Sequence, residues 1–229
     1  MNYITQLAQA AQAIAVDKNF LDSIISLIDK GGVFIYFIIL CSIAAIAVML
    51  YQAMILVRQK VIPDSLVYSM DTYVSEHDEE SSQALKNSSE LNPSVLQKLC
   101  DVVLERHDRK DVEIQEAVQA SAREEIHKLQ VGIPFLEVII AIAPLLGLLG
   151  TATGLFTVFE GVGAGEEKYE EMAQGISEAL ITTVSGLAVA VPAVIAHGYF
   201  NRKIESYATR LEVVMDQFIG AYAKGRTIK

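Results

Sequence analysis

The chain has 229 residues, 52% of them hydrophobic, and a mean hydropathy of +0.36. Its 18 basic residues stand against 28 acidic ones for a net charge of -10, which does not favour nucleic-acid binding, since that needs a concentrated basic surface. Two cysteines, Cys41 and Cys100, supply no disulfide framework and read as ordinary buried thiols.

Residues 1–32 read as an amphipathic segment. Leu7, Ala11, Ile14, Leu21, Ile24, Ile25 and Ile28 place apolar points at helical spacing between Ile4 and Ile28, predicting a helix along the membrane surface before the first span. The alternative is a frayed tail. No secretory signal is expected, because the first basic residue is Lys18 and no small-residue cleavage pattern follows a charged start.

Three uncharged runs come next, each long enough to cross a bilayer, which takes about 20 helical residues. Val33–Val57 has 25 residues, Val138–Phe159 has 22, and Ala179–Asn201 has 23 with His197 counted as neutral. These runs predict an all-α membrane protein with transmembrane helices at 33–57, 134–160 and 172–201.

Between the first two spans lies a polar helical region, 58–133, interrupted from Glu76 to Pro93 by clustered acidic residues, Ser and Asn. From Ser94 onward Val95, Leu99, Val102, Val103, Ile114, Val118 and Ala122 recur at three- and four-residue steps. That stripe predicts one helix running into the second span, bending near Pro134 and again near Pro144. A short glutamate-rich loop, 161–171, leads to the third span. Beyond it, 202–229 reads as a helical extension with Ile204, Tyr207, Leu211, Val214, Met215 and Phe218 on one stripe. Basic residues near the span ends set orientation. Arg58, Lys60, Arg123, Lys128, Arg202, Lys203 and Arg210 lie on one side, against Lys18, Lys30 and Lys168 on the other. The long loop and the C-terminus are therefore expected in the cytoplasm, with the N-terminus outside.

Glu178 is the chemically informative residue. It stands in a stretch that is otherwise almost wholly apolar or small, where an acidic side chain costs roughly 2.5–3.5 kcal/mol at the centre of a membrane helix. Such a group handles an ion or proton, or pairs with a partner helix for assembly. Thr182 and Ser185 fall on the Glu178 face, whereas Thr183 lies well round from it. In the second span Gly147, Gly150, Thr151 and Gly154 share a face that lets another backbone approach closely. Two small-residue helices lining a narrow space, with one carboxyl and several hydroxyls, suit proton transfer, since hydroxyls both donate and accept.

The runs APLLGLLGTATGLF, Ala143–Phe156, and GISEALITTVSGLAVAVPAV, Gly175–Val194, resemble the ExbB/TolQ/MotA proton-channel family, nearest its ExbB and TolQ branch. The resemblance covers the second and third spans and the three-span layout. It implies that Glu178 is the proton-handling acid, with Thr151 and Thr183 as its threonine partners, and leaves the role of Thr182 open. It also implies a homopentamer in the bacterial inner membrane. That pentamer would surround an ExbD- or TolR-like single-span partner carrying a transmembrane aspartate, use the proton motive force and need no cofactor. The driven protein would be TonB-like or TolA-like. A passive scaffold for a partner helix, an envelope-maintenance motor and a gliding motor are the competing readings.

The remaining signals are weak. Glu137 and His197 sit at the cytoplasmic ends of the second and third spans and read as interfacial side chains, with a proton-exit role as the alternative. His77, His107 and His127 stand alone in the sequence, without a second histidine or cysteine at ligand spacing, so no metal site is expected. Gly161–Gly165 follows a membrane helix rather than a strand and lacks a phosphate-loop lysine. No nucleophile, base and oxyanion set occurs outside the membrane, so the chain does not read as an enzyme.

Overall fold

The computed structural model of the protein describes residues 32–76, 81, 83–85, 87–88, 93–106, 109–161 and 169–227. The amphipathic segment expected at residues 1–31, His77, His107 and most of the glutamate-rich loop lie outside the described residues. Among those described the fold is all-α. Its helices are α1 (Gly32–Ile55), α2 (Arg58–Val61), α3 (Asp64–Glu76), α4 (Val95–Glu105), α5 (Asp111–Gln130), α6 (Ile133–Gly161) and α7 (Tyr169–Thr227). Three stretches are long and apolar enough to cross a membrane: one in α1, one in the 111–160 stretch that includes α6, and one in α7. Phe37, Leu40, Leu145, Leu148, Val184 and Val191 are exposed on them, as lipid-facing side chains are.

The chain divides into two units, residues 1–45 with 138–193 and residues 46–137 with 194–229. The first contains the described start of α1, most of α6 and the first part of α7. Its buried residues are mainly small or branched: Ile35, Ile38, Ala143, Val158, Ala179, Thr182, Ala190 and Ala193. Pro144 lies inside α6. Pro134 occupies the first turn of that helix, where a missing N–H is harmless.

In the second unit Ile62 N–H closes α2 onto the Arg58 carbonyl at 2.8 Å, Pro63 prevents continuation, and Asp64 opens α3 while pairing with Arg58 at 2.5 Å. Ser94 caps α4 in a reciprocal box. Gln97 N–H donates to Ser94 Oγ at 3.1 Å, and Ser94 N–H donates to Gln97 Oε1 at 3.3 Å. The expected single helix from Ser94 into the second span is corrected here. The chain leaves helix after Glu105 and resumes at Asp111, then breaks again at Val131–Gly132. Lys98, early in α4, reaches Glu125, late in α5, at 2.9 Å, so the two helices form an antiparallel hairpin. The interruption was invisible to periodicity because Val103 and Ile114 are 11 residues apart, about three whole turns, which preserves the stripe's phase.

Leu96, Leu99, Cys100, Val103, Ile114 and Val118 are buried in this unit, as are Ile204, Leu211, Met215 and Phe218 of α7. Burial, helped by the neighbouring Asp101 charge, pushes the Cys100 thiol up to about 12, so it stays protonated and inert; Cys41 is only half-buried. The Tyr73 and Phe218 rings meet at a tilt of 56° with centroids 5.8 Å apart, and Tyr207 O–H donates to the Leu56 carbonyl at 3.3 Å.

The break at Val131–Gly132 strands a carbonyl at the end of α5. Gln52, fully buried, supplies its donor: Nε2 to the Leu129 carbonyl is 2.9 Å. Its amide also packs against Gly132, where a Cβ would stand 3.1 Å from Gln52 Cδ.

Candidate functional site

The site is built where α6 and α7 approach within the first unit. A Cβ on Gly147 would stand 3.0 Å from both the Thr182 carbonyl oxygen and Thr183 Cα. One on Gly154 would stand 2.6 Å from the Gly175 carbonyl oxygen, so these positions hold the two backbones close. Thr182, fully buried, fills the space beside Gly150, its Cβ 2.7 Å from where a Gly150 Cβ would lie. Its hydroxyl bonds back to its own helix, to the Glu178 carbonyl at 3.1 Å and the Ala179 carbonyl at 3.0 Å. The structure thus gives Thr182 a packing contact.

Thr151 and Thr183 are brought together. Their hydroxyls form a short hydrogen bond across the seam, and Thr183 also donates to the Gly147 carbonyl at 3.1 Å. Thr151 lies within hydrogen-bond distance of the Gly147 carbonyl, 3.0 Å, and the Ala179 carbonyl, 3.3 Å. With one proton each, the two hydroxyls cannot serve all these acceptors at once. In one direction Thr183 donates to Gly147 and Thr151 donates to Thr183; in the other Thr183 donates to Thr151 and Thr151 donates to the Gly147 or the Ala179 carbonyl.

Glu178 is half-buried, and its carboxyl is directed onto Gly32, the first residue of α1. The nearest atoms to a Gly32 Cβ would be Glu178 Oε1, Cδ at 2.5 Å and Cγ at 3.3 Å. Sequence reasoning placed Gly32 in the N-terminal segment and assigned it nothing. The signal was a glycine pair, Gly31–Gly32, directly before an uncharged run.

Ser185 is half-buried along the same helix. Its neighbour Gly186, which was not singled out, makes the close approach: a Cβ there would stand 2.5 Å from the Ala143 carbonyl oxygen. Outside this unit, Glu137 is exposed and His197 half-buried. Among the described residues no group of three His, Cys, Asp or Glu side chains could hold a metal ion.

Residues 83–213 match the family described as the MotA/TolQ/ExbB proton channel family. The chain is 47% identical over 79 residues to an ExbB-like biopolymer transport protein of Synechocystis sp., covering 33% of this chain and 31% of the relative. It is 34% identical over 106 residues to the Tol-Pal system protein TolQ of Pseudomonas aeruginosa, covering 46% of each. It is 30% identical over 161 residues to biopolymer transport protein exbB1 of Vibrio cholerae, covering 63% of this chain and 70% of the relative. The first two matches span less than half the length of those relatives.

Proposed function

The chain belongs to the MotA/TolQ/ExbB proton channel family, and from that premise we propose that it is the proton-conducting subunit of an inner-membrane motor energising TonB-dependent outer-membrane transport. Family membership makes it a multi-pass inner-membrane channel component rather than an enzyme. The observation that carries the finer reading is the seam between α6 and α7. There an acid in an apolar helix lies five residues from Thr183, whose hydroxyl meets that of Thr151 on the facing helix.

In this reading Glu178 takes up and releases the proton. The exchangeable donor and acceptor roles of Thr151 and Thr183 let the hydroxyl pair reorganise as the nearby charge changes. Gly147, Gly150 and Gly154 keep the helices close enough for that contact, with Thr182 and Ser185 on the adjoining face. One charge crossing 100 mV releases about 2.3 kcal/mol, the scale of one or two hydrogen bonds, so single proton steps can drive a side-chain rearrangement. The partners that fit are an ExbD- or TolR-like single-span protein carrying a transmembrane aspartate, further copies of this chain in a pentamer, and a TonB- or TolA-like transmitter. Seven basic residues on the long-loop side against three on the other favour a cytoplasmic loop and C-terminus.

Glu178→Gln keeps the side chain's size and polarity but cannot exchange a proton. It is expected to abolish proton flux and the driven transport in membranes, while the complex with the single-span partner still co-purifies. Full transport by Glu178→Gln would leave only the scaffold reading.

A further inference from the structure

We infer that Gly32 is a positioning residue for Glu178, the absent side chain at the start of α1 forming the berth in which the carboxyl is held. This deepens the reading of Glu178 as the proton-handling acid and rests on it. The three atoms nearest to a Cβ at Gly32 are all Glu178's own, Oε1, Cδ and Cγ, with Oε1 lying inside the volume a Cβ would take. The backbone there has φ +59°, in the left-handed region that costs most side chains about 1–2 kcal/mol. Glycine is thus required twice, for the space and for the backbone.

What fills the space distinguishes Gly32 from Gly154 and Gly186 of the α6–α7 seam. At Gly154 and Gly186 a Cβ would meet main-chain oxygens of the facing helix, at 2.6 Å and 2.5 Å, and the helices themselves would have to part. At Gly32 a Cβ would meet the far end of a flexible side chain, so the carboxyl moves and the helices stay. The berth therefore sets the position of a titrating group without setting the packing. It lies at the first turn of α1, where main-chain N–H groups lack intrahelical acceptors, so a carboxyl can be received there in a polar setting. Leaving it is a discrete rotamer change of Glu178, which gives the carboxyl two definable positions, in the berth and out of it.

Gly32→Asn in the full chain, in native membranes, tests this. Asn tolerates a left-handed backbone better than most side chains, so it fills the berth while retaining φ. Gly32→Ala fills it with a single methyl and serves as the second variant. The readout is the rate at which Glu178 reacts with dicyclohexylcarbodiimide, a reagent for carboxyls in apolar surroundings, with Glu178→Gln as the unlabelled control. Both variants are expected to label several-fold faster than the unsubstituted chain at equal membrane insertion. A rate unchanged or lowered in both overturns the berth. The channel reading fails separately, if Glu178→Gln conducts protons, and that outcome leaves the labelling contrast untouched.

Discussion

Thr151 and Thr183 are the residues whose local chemistry is most fully drawn. Each hydroxyl can donate to a carbonyl of the opposite helix or to the other hydroxyl, so the pair both ties α6 to α7 and can switch direction. Interhelical hydrogen bonds in membranes contribute about 0.6 kcal/mol on average and up to about 1.7. A double-mutant cycle of Thr151→Val and Thr183→Val, read as thermal unfolding in detergent, is expected to return a coupling in that range, with proton flux falling in each single variant. Zero coupling would remove the pair as a tie between the helices. Glu178 stands out in the sequence as a carboxyl among apolar residues, and the motif resemblance names Thr151 and Thr183, whose hydroxyls the structure brings together. Gly32 does not stand out, because a glycine's neighbour across space leaves no mark in its own sequence.

At the scale of elements, the α4–α5 hairpin is closed by Glu125. Its side chain is 9% exposed, and it receives Lys98 at 2.9 Å and Lys128 at 2.8 Å; Lys128 also reaches Glu124 at 2.7 Å. Burial by itself would raise the Glu125 carboxyl, but the hydrogen bonds and charges of Lys128 and Lys98 outweigh it and hold the group below the ordinary 4.5. A folded-state value below the unfolded one means that the ionised form stabilises the hairpin. That stabilisation is complete above the unfolded value and is lost as pH falls through the folded one. Amide-exchange protection across α4 and α5 is therefore expected to hold at neutral pH and to drop as the solution is acidified below about pH 4, near the ordinary carboxylate range. In Glu125→Gln, protection should be lower at neutral pH, by about 1–3 kcal/mol, and should no longer follow pH in that range. Acid-independent protection in the unsubstituted chain would show that the lysines do not hold the hairpin.

For the whole molecule, three apolar stretches are observed, whereas the direction of insertion is proposed from charge. Moving a loop's lysines and arginines across a bilayer is unfavourable, so their excess beside 58–133 and after 201 argues for retention on the cytoplasmic side. Alkaline phosphatase, which folds only in the oxidising periplasm, is expected to be inactive when fused after Lys229, and a fluorescent protein at the same place to be bright. An active phosphatase would reverse the orientation.

The helical class, the three apolar stretches and the acid within one of them follow from composition and period alone, because lipid solvation depends on uninterrupted apolar length and a charge within it is costly wherever the chain folds. Contacts between distant residues do not follow from period. A 3.6-residue repeat defines a face but not the rotation or register at which another helix meets it. Only the tertiary structure therefore decided that Thr183 meets Thr151 while Thr182 packs on Gly150, that Gln52 caps Leu129, that α4 and α5 pair as a hairpin, and that the Glu178 carboxyl rests on Gly32.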